Sequence, residues 1–313
     1  MITLTADLGG TRIKLGAVID GKLAAHCAIP ASSKEGLKQA LPAVSEELDR
    51  LLAVCGQQMR ANAIGLAFPG LVTPNANKVA ATYGKWDDAR EIDFDEWAKS
   101  RFDLPLVMEN DSRLALLGEW RAGAGRGCNN LVLVTLGTGL GTSAVIEGKL
   151  LKGVHGQAGV LGGHFATNRR GARCTCGNIG CAEAEASTSV LSRIAKQQSG
   201  FEASALKTRD VIDFHAVFAL AAEGDACAQA LKSHSIRVWA QMIVNLVHAY
   251  DPERVILGGG IIAGADDFFD ELKAAILSHA HTPWGKIELV AGTLGSSAAL
   301  LGLDALAQFP GLA

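Results

Sequence analysis

The chain has 313 residues, 49% of them hydrophobic and 19% charged, with a formal net charge of −3. That composition can bury large cores, suggests roughly two domains and argues against disorder. No Lys/Arg block offers a nucleic-acid footprint, and the most apolar windows, 131–146 and 255–265, are short and broken by glycine, which suits buried strands rather than membrane spans. The opening MITLTADLGG has no basic stretch ahead of an apolar one and carries Asp7 early, so it does not read as a signal peptide; a soluble cytoplasmic enzyme is expected. The 36 glycines cluster at a few places, a pattern of backbone approaching ligands rather than of flexible linkers.

Residues 2–8 read as a strand ending on Asp7, followed by Gly9-Gly10-Thr11 and a second strand over 13–19. Asp20-Gly21 marks the next turn and 22–29 a third strand, so the chain opens as a meander. Alone, Gly9-Gly10-Thr11 is equally an ordinary hairpin turn. An internal repeat changes that weighting. Ala17-Val18-Ile19-Asp20-Gly21-Lys22-Leu23 recurs as Ala144-Val145-Ile146-Glu147-Gly148-Lys149-Leu150, and at the same offset Gly10-Thr11 matches Gly137-Thr138. Two similar α/β halves each opening on a strand, a glycine turn and a strand could offer backbone N–H groups to one polyphosphate from both sides.

Between the hairpins, 35–53 has apolar residues at helical spacing, with Pro42 as a kink or boundary, and 61–68 reads as a buried strand stopped by Pro69-Gly70. The segment 82–97 mixes aromatic and charged residues around Gly84-Lys85-Trp86 and suits a lid or a surface loop. A short strand over 104–108 delivers Glu109-Asn110-Asp111 to its carboxyl end, where Ser112 or Asp111 would cap a helix beginning at Arg113. Ligands of open α/β sheets sit outside the carboxyl ends of strands, which gives Asp111 a chemical reading beside that of a plain cap. Farther on come a strand over 131–135, the turn Gly137-Thr138-Gly139-Leu140-Gly141, helical spacing over 187–198, and a long helix over 226–250 ended by Asp251-Pro252. A strand over 254–257 then runs into Gly258-Gly259-Gly260, where no side chain separates backbone from a flat ligand, and 296–307 forms a last apolar helix.

The densest chemical signal is GGHFATNRRGARCTCGNIGCAE, residues 162–183. It groups His164 with Cys174, Cys176 and Cys181, one imidazole and three thiols, enough for a closed tetrahedral zinc shell of the structural kind. Gly177 and Gly180 fall where a tightly turning backbone needs positive φ. Buried reduced cysteines beside a surface histidine, or a disulfide framework, are the competing readings; seven cysteines is an odd number for the second.

With a glycine hairpin opening each half, an aspartate after a strand, a strand followed by three glycines and the Cys/His loop, the chain resembles the ROK family of bacterial sugar kinases and sugar-responsive repressors. The resemblance covers nearly the whole chain, and its most specific part is Gly163-His164 followed by Cys174-Thr175-Cys176-Gly177-Asn178-Ile179-Gly180-Cys181-Ala182-Glu183. It implies an α/β, two-lobed actin/hexokinase-like (ribonuclease H-like) fold with an inter-lobe active-site cleft. The expected lobes are 1–112, with the C-terminal helix of about 296–313 packed back on it, and 113–295, carrying the zinc loop. Asp7, Gly9, Gly10 and Thr11 then look like a first phosphate motif with Asp7 organising Mg²⁺ through water. Gly137, Thr138 and Gly139 look like a second, and Gly258, Gly259 and Gly260 like an adenosine motif. Asn110 and Asp111 match a sugar-binding pair with Asp111 as catalytic base, Glu183 a carboxylate for sugar hydroxyls, and His164 both a zinc ligand and a wall of the sugar pocket.

The activity so implied is ATP-dependent phosphorylation of a hexose or hexose derivative at its 6-hydroxyl, with ATP, Mg²⁺ and structural Zn²⁺ as cofactors and a homodimer as the assembly. An ordinary carboxylate pKa of ~4 suffices for Asp111, because the hydroxyl proton becomes acidic only late in the reaction. Two departures from the family pattern stand out. Kinases of the family carry Glu in ExGH, whereas this chain reads Ala158-Gly159-Val160-Leu161-Gly162-Gly163-His164, and neither Val160 nor Leu161 accepts a sugar hydroxyl. Ser112-Arg113 stands where the family often has Ala-Asn, a difference expected to touch the local surface rather than Asp111. A sugar-sensing regulator is the alternative within the family, disfavoured because the first hairpin begins at residue 2 and leaves no room for a DNA reader; a non-catalytic sugar-binding protein is the third reading.

Overall fold

The computed structural model describes residues 1–56, 58–262 and 266–312. Positions 263–265 of the apolar window 255–265, and residue 313 of the C-terminal segment, lie outside these. The chain opens with β1 (Ile2–Leu8), β2 (Arg12–Ile19) and β3 (Lys22–Pro30), then α1 (Leu37–Cys55), β4 (Ala63–Phe68), the small pair β5 (Leu71–Val72) and β6 (Val79–Ala81), α2 (Phe94–Phe102), β7 (Leu106–Asn110) and α3 (Asp111–Ala122). A five-stranded sheet forms in the order β3-β2-β1-β4-β7, with the meander antiparallel and β1, β4 and β7 parallel. Every residue of β1 and of β4 is buried, as expected of central strands covered on both faces, while β3 alternates along the sheet edge.

The second half repeats the plan. β8 (Leu131–Leu136), β9 (Leu140–Ile146) and β10 (Lys149–Leu150) are followed by α4 (Ala182–Ala186), α5 (Leu191–Gln197), α6 (Phe214–Ala222), α7 (Ala226–Tyr250), β11 (Arg254–Gly258), α8 (Asp266–His279), β12 (Glu288–Ala291) and α9 (Ala298–Gln308). The second sheet runs β10-β9-β8-β11-β12, the same order as the first, again with a parallel pair at its far edge. The repeated heptapeptide supplies the same tight turn twice: Asp20 and Gly21 have φ of 48° and 77°, and Glu147 and Gly148 have 50° and 70°. Two consecutive left-handed residues are what a type I′ hairpin demands, and Asp-Gly and Glu-Gly supply them.

By contacts the chain divides into two units. One comprises Met1–Leu131, Ser143–Gly159 and Gly292–Ala313, the other Val132–Thr142 and Val160–Ala291. In the first unit, α9 crosses α3 at backbone distance. A Cβ added to Gly118 would lie 2.0 Å from the Ala298 carbonyl oxygen, and one added to Gly302 would lie 1.9 Å from that of Leu114. Glu119, buried on α3, accepts hydrogen bonds from the Leu294 and Ala124 amides and the Thr293 hydroxyl, tying the entry to α9 onto α3.

Local details depart from the sequence expectations for identifiable reasons. The helix expected over 35–53 begins at Leu37 because Gly36 has φ 105°, and its first free amides, of Leu37 and Lys38, are capped by the carboxylate of Asp88, remote in sequence. Pro42 neither ends nor bounds α1, which runs through it with Leu37, Leu41, Val44, Leu48 and Leu51 facing the core. Helical structure over 187–198 splits into a 3-10 turn, Thr188–Val190, and α5, since the amides of Thr188 and Ser189 donate to the carbonyls of Gly137 and Thr138. Trp86 is no part of a lid. It is fully buried, donates its indole N–H to the Leu8 carbonyl at 2.9 Å, and belongs to the core of the first unit.

Gly302→Val should drive the Val side chain into the Leu114 carbonyl and lower stability by about 3 kcal/mol. The urea midpoint should fall at unchanged slope; a midpoint equal to that of the wild type would show that α3 and α9 separate without cost.

Candidate functional site

In the first unit, three parallel strands bring the candidate residues to one edge. Asp7 pairs in register with Ala67 of β4, and Phe68 with Asn110 of β7, so Asp7 and Asn110 close the carboxyl ends of strands two apart. Asp7 is buried, with Oδ2 on Lys14 Nζ at 3.0 Å. The turn that follows is built for bare backbone. The Gly9 amide donates to the Asp7 carbonyl at 2.9 Å, and a Cβ on Gly9 would stand 2.4 Å from the Arg12 carbonyl oxygen. Gly10 is partly exposed and Thr11 exposed at the tip.

The cap of α3 is Asn110, not Ser112 or Asp111. Its Oδ1 accepts the amides of Ser112 and Arg113 at 3.0 and 3.2 Å, while Nδ2 donates to the Gly70 carbonyl at 2.9 Å. The Asp111 carboxylate is therefore not the cap, though it shares one first-turn amide with it. It accepts only locally, from the Ser112 amide at 2.7 Å and the Ser112 hydroxyl at 3.3 Å. Desolvation by burial, reinforced by the charge of Asp7, pushes its pKa up to about 6 against the opposing pull of Ser112 and Lys85. The ordinary value near 4 expected from the sequence is thus corrected by its surroundings.

A buried network behind this turn was not legible in the sequence. Glu109 accepts the Asn110 amide, Arg113 Nη1 at 2.9 Å and Lys152 Nζ at 2.7 Å. Arg113, far from modifying a surface, is fully buried and also donates to the carbonyls of Leu151, Gly156 and Ala158. Such a charge is tolerable only with every donor used, and here the guanidinium rivets the Leu151–Ala158 loop to the start of α3.

In the second unit, the Cys/His loop closes on itself. The ligand atoms of His164, Cys174, Cys176 and Cys181 all lie within 4.8 Å of one another, with His164 Nδ1 to Cys174 Sγ at 3.4 Å and Cys176 Sγ to Cys181 Sγ at 3.6 Å. A zinc tetrahedron with Zn–S and Zn–N bonds of ~2.3 and ~2.0 Å has edges of ~3.5–3.8 Å, so the four groups fit such an ion. Burial and the adjacent thiols of Cys176 and Cys174 push the Cys181 thiol up to about 12, a proton that metal binding would displace. Gly177 and Gly180 have φ of 93° and 69°, and a Cβ on Gly180 would fall 1.6 Å from the Asn168 carbonyl oxygen. Glu185, which sequence reading passed over, braces the loop through the Ala172 amide at 2.7 Å and Asn168 Nδ2 at 3.1 Å.

The same loop meets the second glycine hairpin. Glu183 Oε2 accepts the Leu140 amide at 2.9 Å and lies 2.6 Å from where a Cβ on Gly139 would stand. Gly163 packs its bare Cα against the Leu140 carbonyl, and the Gly162 amide donates to Thr142 Oγ1, which accounts for the double glycine ahead of His164. Gly137, Thr138 and Gly260 line one cavity of about 1160 Å³ together with Thr188, Phe214 and Phe218. Gly259, at φ 91°, lies too close to the Leu136 carbonyl for any side chain. The second glycine hairpin and the glycine turn after β11 thus converge. The sequence reading assigned no role to the wall that α6 contributes, where Phe214 and Phe218 join an aromatic cluster with Trp239 and Phe268.

A profile of the ROK family matches residues 3–309. The chain belongs to the ROK family. The glucokinase of Halalkalibacterium halodurans is 30% identical over 308 residues, covering 95% of this chain and 92% of its own length. Among solved structures, a ROK hexokinase from Thermus thermophilus superimposes with a TM-score of 0.81 at 30% identity, over 97% of each chain. A ROK family glucokinase from Streptomyces griseus, determined in complex with glucose and AMPPNP, superimposes with a TM-score of 0.78 at 27% identity, over 98% of this chain and 100% of that one. The fold class is accordingly the α/β actin/hexokinase-like one of ROK hexokinases. Among the described residues no helix is long and apolar enough to cross a membrane.

If the Cys/His cluster holds zinc, elemental analysis of the purified ROK protein will find about one zinc per chain, and Cys181→Ser will lose it together with thermal stability. A wild-type protein that is free of metal, yet equally stable with and without a chelator, would exclude the site.

Proposed function

We propose that this ROK protein transfers the γ-phosphoryl group of ATP to the 6-hydroxyl of a hexose, with Asp111 as general base, as a cytoplasmic homodimer. The observation that carries the reading is the state of Asp111: spared the cap position by Asn110, desolvated, and brought beside Asp7 and the first glycine hairpin by the order of β1, β4 and β7. Glucokinases related over nearly their full length, one of them determined with glucose and an ATP analogue, support ATP as phosphoryl donor and a sugar as acceptor.

Phosphoryl transfer proceeds through a loose transition state, so the protein's task is alignment and charge neutralisation. Asp111 aligns the sugar hydroxyl and accepts its proton as the O–P bond forms. Asn110 retains a second Nδ2–H for the sugar, and Glu183 retains Oε1. His164, aimed by its loop, adds a wall to the sugar pocket. The amides of Gly10 and Thr11 and of Thr138 and Gly139 receive phosphate oxygens, those of Gly9 and Gly137 closing the turns on the Asp7 and Gly139 carbonyls, and Gly258, Gly259 and Gly260 receive the adenosine. One oxygen of Asp7 is committed to Lys14, so Mg²⁺ held there through water fits the remaining one; when bound, it neutralises charge on the β- and γ-phosphates. With Val160 and Leu161 in place of an acid, one sugar hydroxyl goes without a protein acceptor, which should weaken discrimination at that hydroxyl by ~1–3 kcal/mol.

A coupled ADP-release assay with Mg·ATP and glucose, mannose and N-acetylmannosamine should show sugar-dependent turnover, falling by about 10²–10⁴-fold in Asp111→Ala. Because the base must be ionised and its pKa is raised to about 6, kcat/KM should be flat above that pH and fall about tenfold per unit below it. Turnover absent with every sugar, or equal in wild type and Asp111→Ala, would refute the kinase assignment.

A further inference from the structure

The segment between β6 and α2 contains a concentration of strained backbone that the proposed mechanism leaves unused. Tyr83, Gly84 and Trp86 have φ of 53°, 77° and 56°. Glycine adopts such angles freely, whereas a tyrosine and a tryptophan in the left-handed region are uncommon and persist only where surrounding structure enforces them. Enforcement is visible here. The Trp86 side chain is fully buried with its indole on the Leu8 carbonyl, its amide donates to the Ser33 carbonyl at 3.0 Å, and the Ser33 hydroxyl donates to the Gly10 carbonyl at 3.1 Å. The segment therefore grips the first glycine turn on both sides, at Leu8 and at Gly10.

Lys85 is the residue this grip delivers. A Cβ added to Gly10 would lie 3.0 Å from Lys85 Cδ and 3.1 Å from Cε, so the lysine side chain is laid along the turn. It is partly buried and, among the described residues, makes no ion pair, whereas Lys14 on the other side is spent on Asp7. Its charge nevertheless reaches Asp111, where it opposes the effect of Asp7. A lysine whose methylene stem lies along bare glycine backbone, its ammonium unpaired with any acid among the described residues and near two carboxylates that would themselves repel a polyphosphate, is placed to receive an anion.

We propose that Lys85 is a further catalytic residue, its ammonium contacting the oxygens of the phosphoryl group in transit from ATP to the sugar. The inference rests on the kinase reading above. A cation here neutralises charge on the transferred group and offsets the Asp7 and Asp111 carboxylates, while the buried Trp86 fixes it without a flexible approach.

The test compares wild type, Lys85→Met and Lys85→Arg in the coupled assay with Mg·ATP and glucose, mannose and N-acetylmannosamine, with melting temperatures as the folding control. The expected result is a fall in kcat of about 100-fold or more in Lys85→Met, with sugar KM within about threefold of wild type. Lys85→Arg should recover at least a tenth of wild-type kcat, and in Lys85→Met the acid limb of the pH profile should move to higher pH. A Lys85→Met enzyme that keeps kcat within about threefold of wild type overturns the inference, as does an equal loss in both variants accompanied by a lowered melting temperature. Wild-type protein inactive with all three sugars would instead sink the kinase reading, and this inference with it.

Discussion

A single amide side chain decides what the centre of this protein can do. Because Asn110 meets the free N–H groups at the start of α3, the neighbouring Asp111 shares the Ser112 amide through Oδ1 alone and leaves that of Arg113 to Asn110, so its carboxyl group is not consumed by the cap at the carboxyl end of β7. The surrounding construction keeps that arrangement fixed. Gly70 holds the amide group of Asn110 from one side, Glu109 holds its backbone, and Arg113 and Lys152 hold Glu109. Leaving Asp111 desolvated and close to Asp7 costs stability at neutral pH, where it is ionised, a cost consistent with the base role proposed for it.

Around this centre the chain applies one plan twice. Both sheets have the same strand order, both open on a hairpin with left-handed residues at its far turn, and in both the near turn is glycine-rich. The copies have since diverged in what is attached. The first carries Asp7 and the Trp86-anchored segment. The second has a shortened β10 and feeds into a metal-type loop whose Glu183 bonds the amide of Leu140, beside the glycine turn of its own hairpin. The Asp7 and Asp111 carboxylates thus belong to the first unit, and the cavity lined by Gly137 and Gly260 to the second.

Local and periodic features were legible in the sequence. The heptapeptide repeat announced the duplicated hairpin, and α7 begins and ends where the reading of 226–250 placed it, because Asp225 caps one end and Asp251-Pro252 stops the other. His164 and the three cysteines could be grouped because they lie on one short loop. What escaped were arrangements made by partners distant in sequence. Asp88 capping α1 depends on the path of a later segment. The cap of α3 was misplaced because Asn110, Asp111 and Ser112 are all good cap formers, and only β7 extending to Asn110 selects among them. Arg113 looked like a surface residue until the Leu151–Ala158 loop folded over it. The raised pKa of Asp111 comes first from burial and then from Asp7, and both depend on the folded chain, the second on the strand order that brings Asp7 near.

The claim on which the account rests is that Asp111 is a desolvated base, and its ionisation can be observed directly. Carbon-13 NMR of the aspartate carboxyl groups, with Asp111→Asn used to identify the resonance, should show Asp111 titrating near pH 6 in the free protein, in step with the acid limb of kcat/KM. A midpoint near 4, the value of an ordinary exposed aspartate, would contradict it.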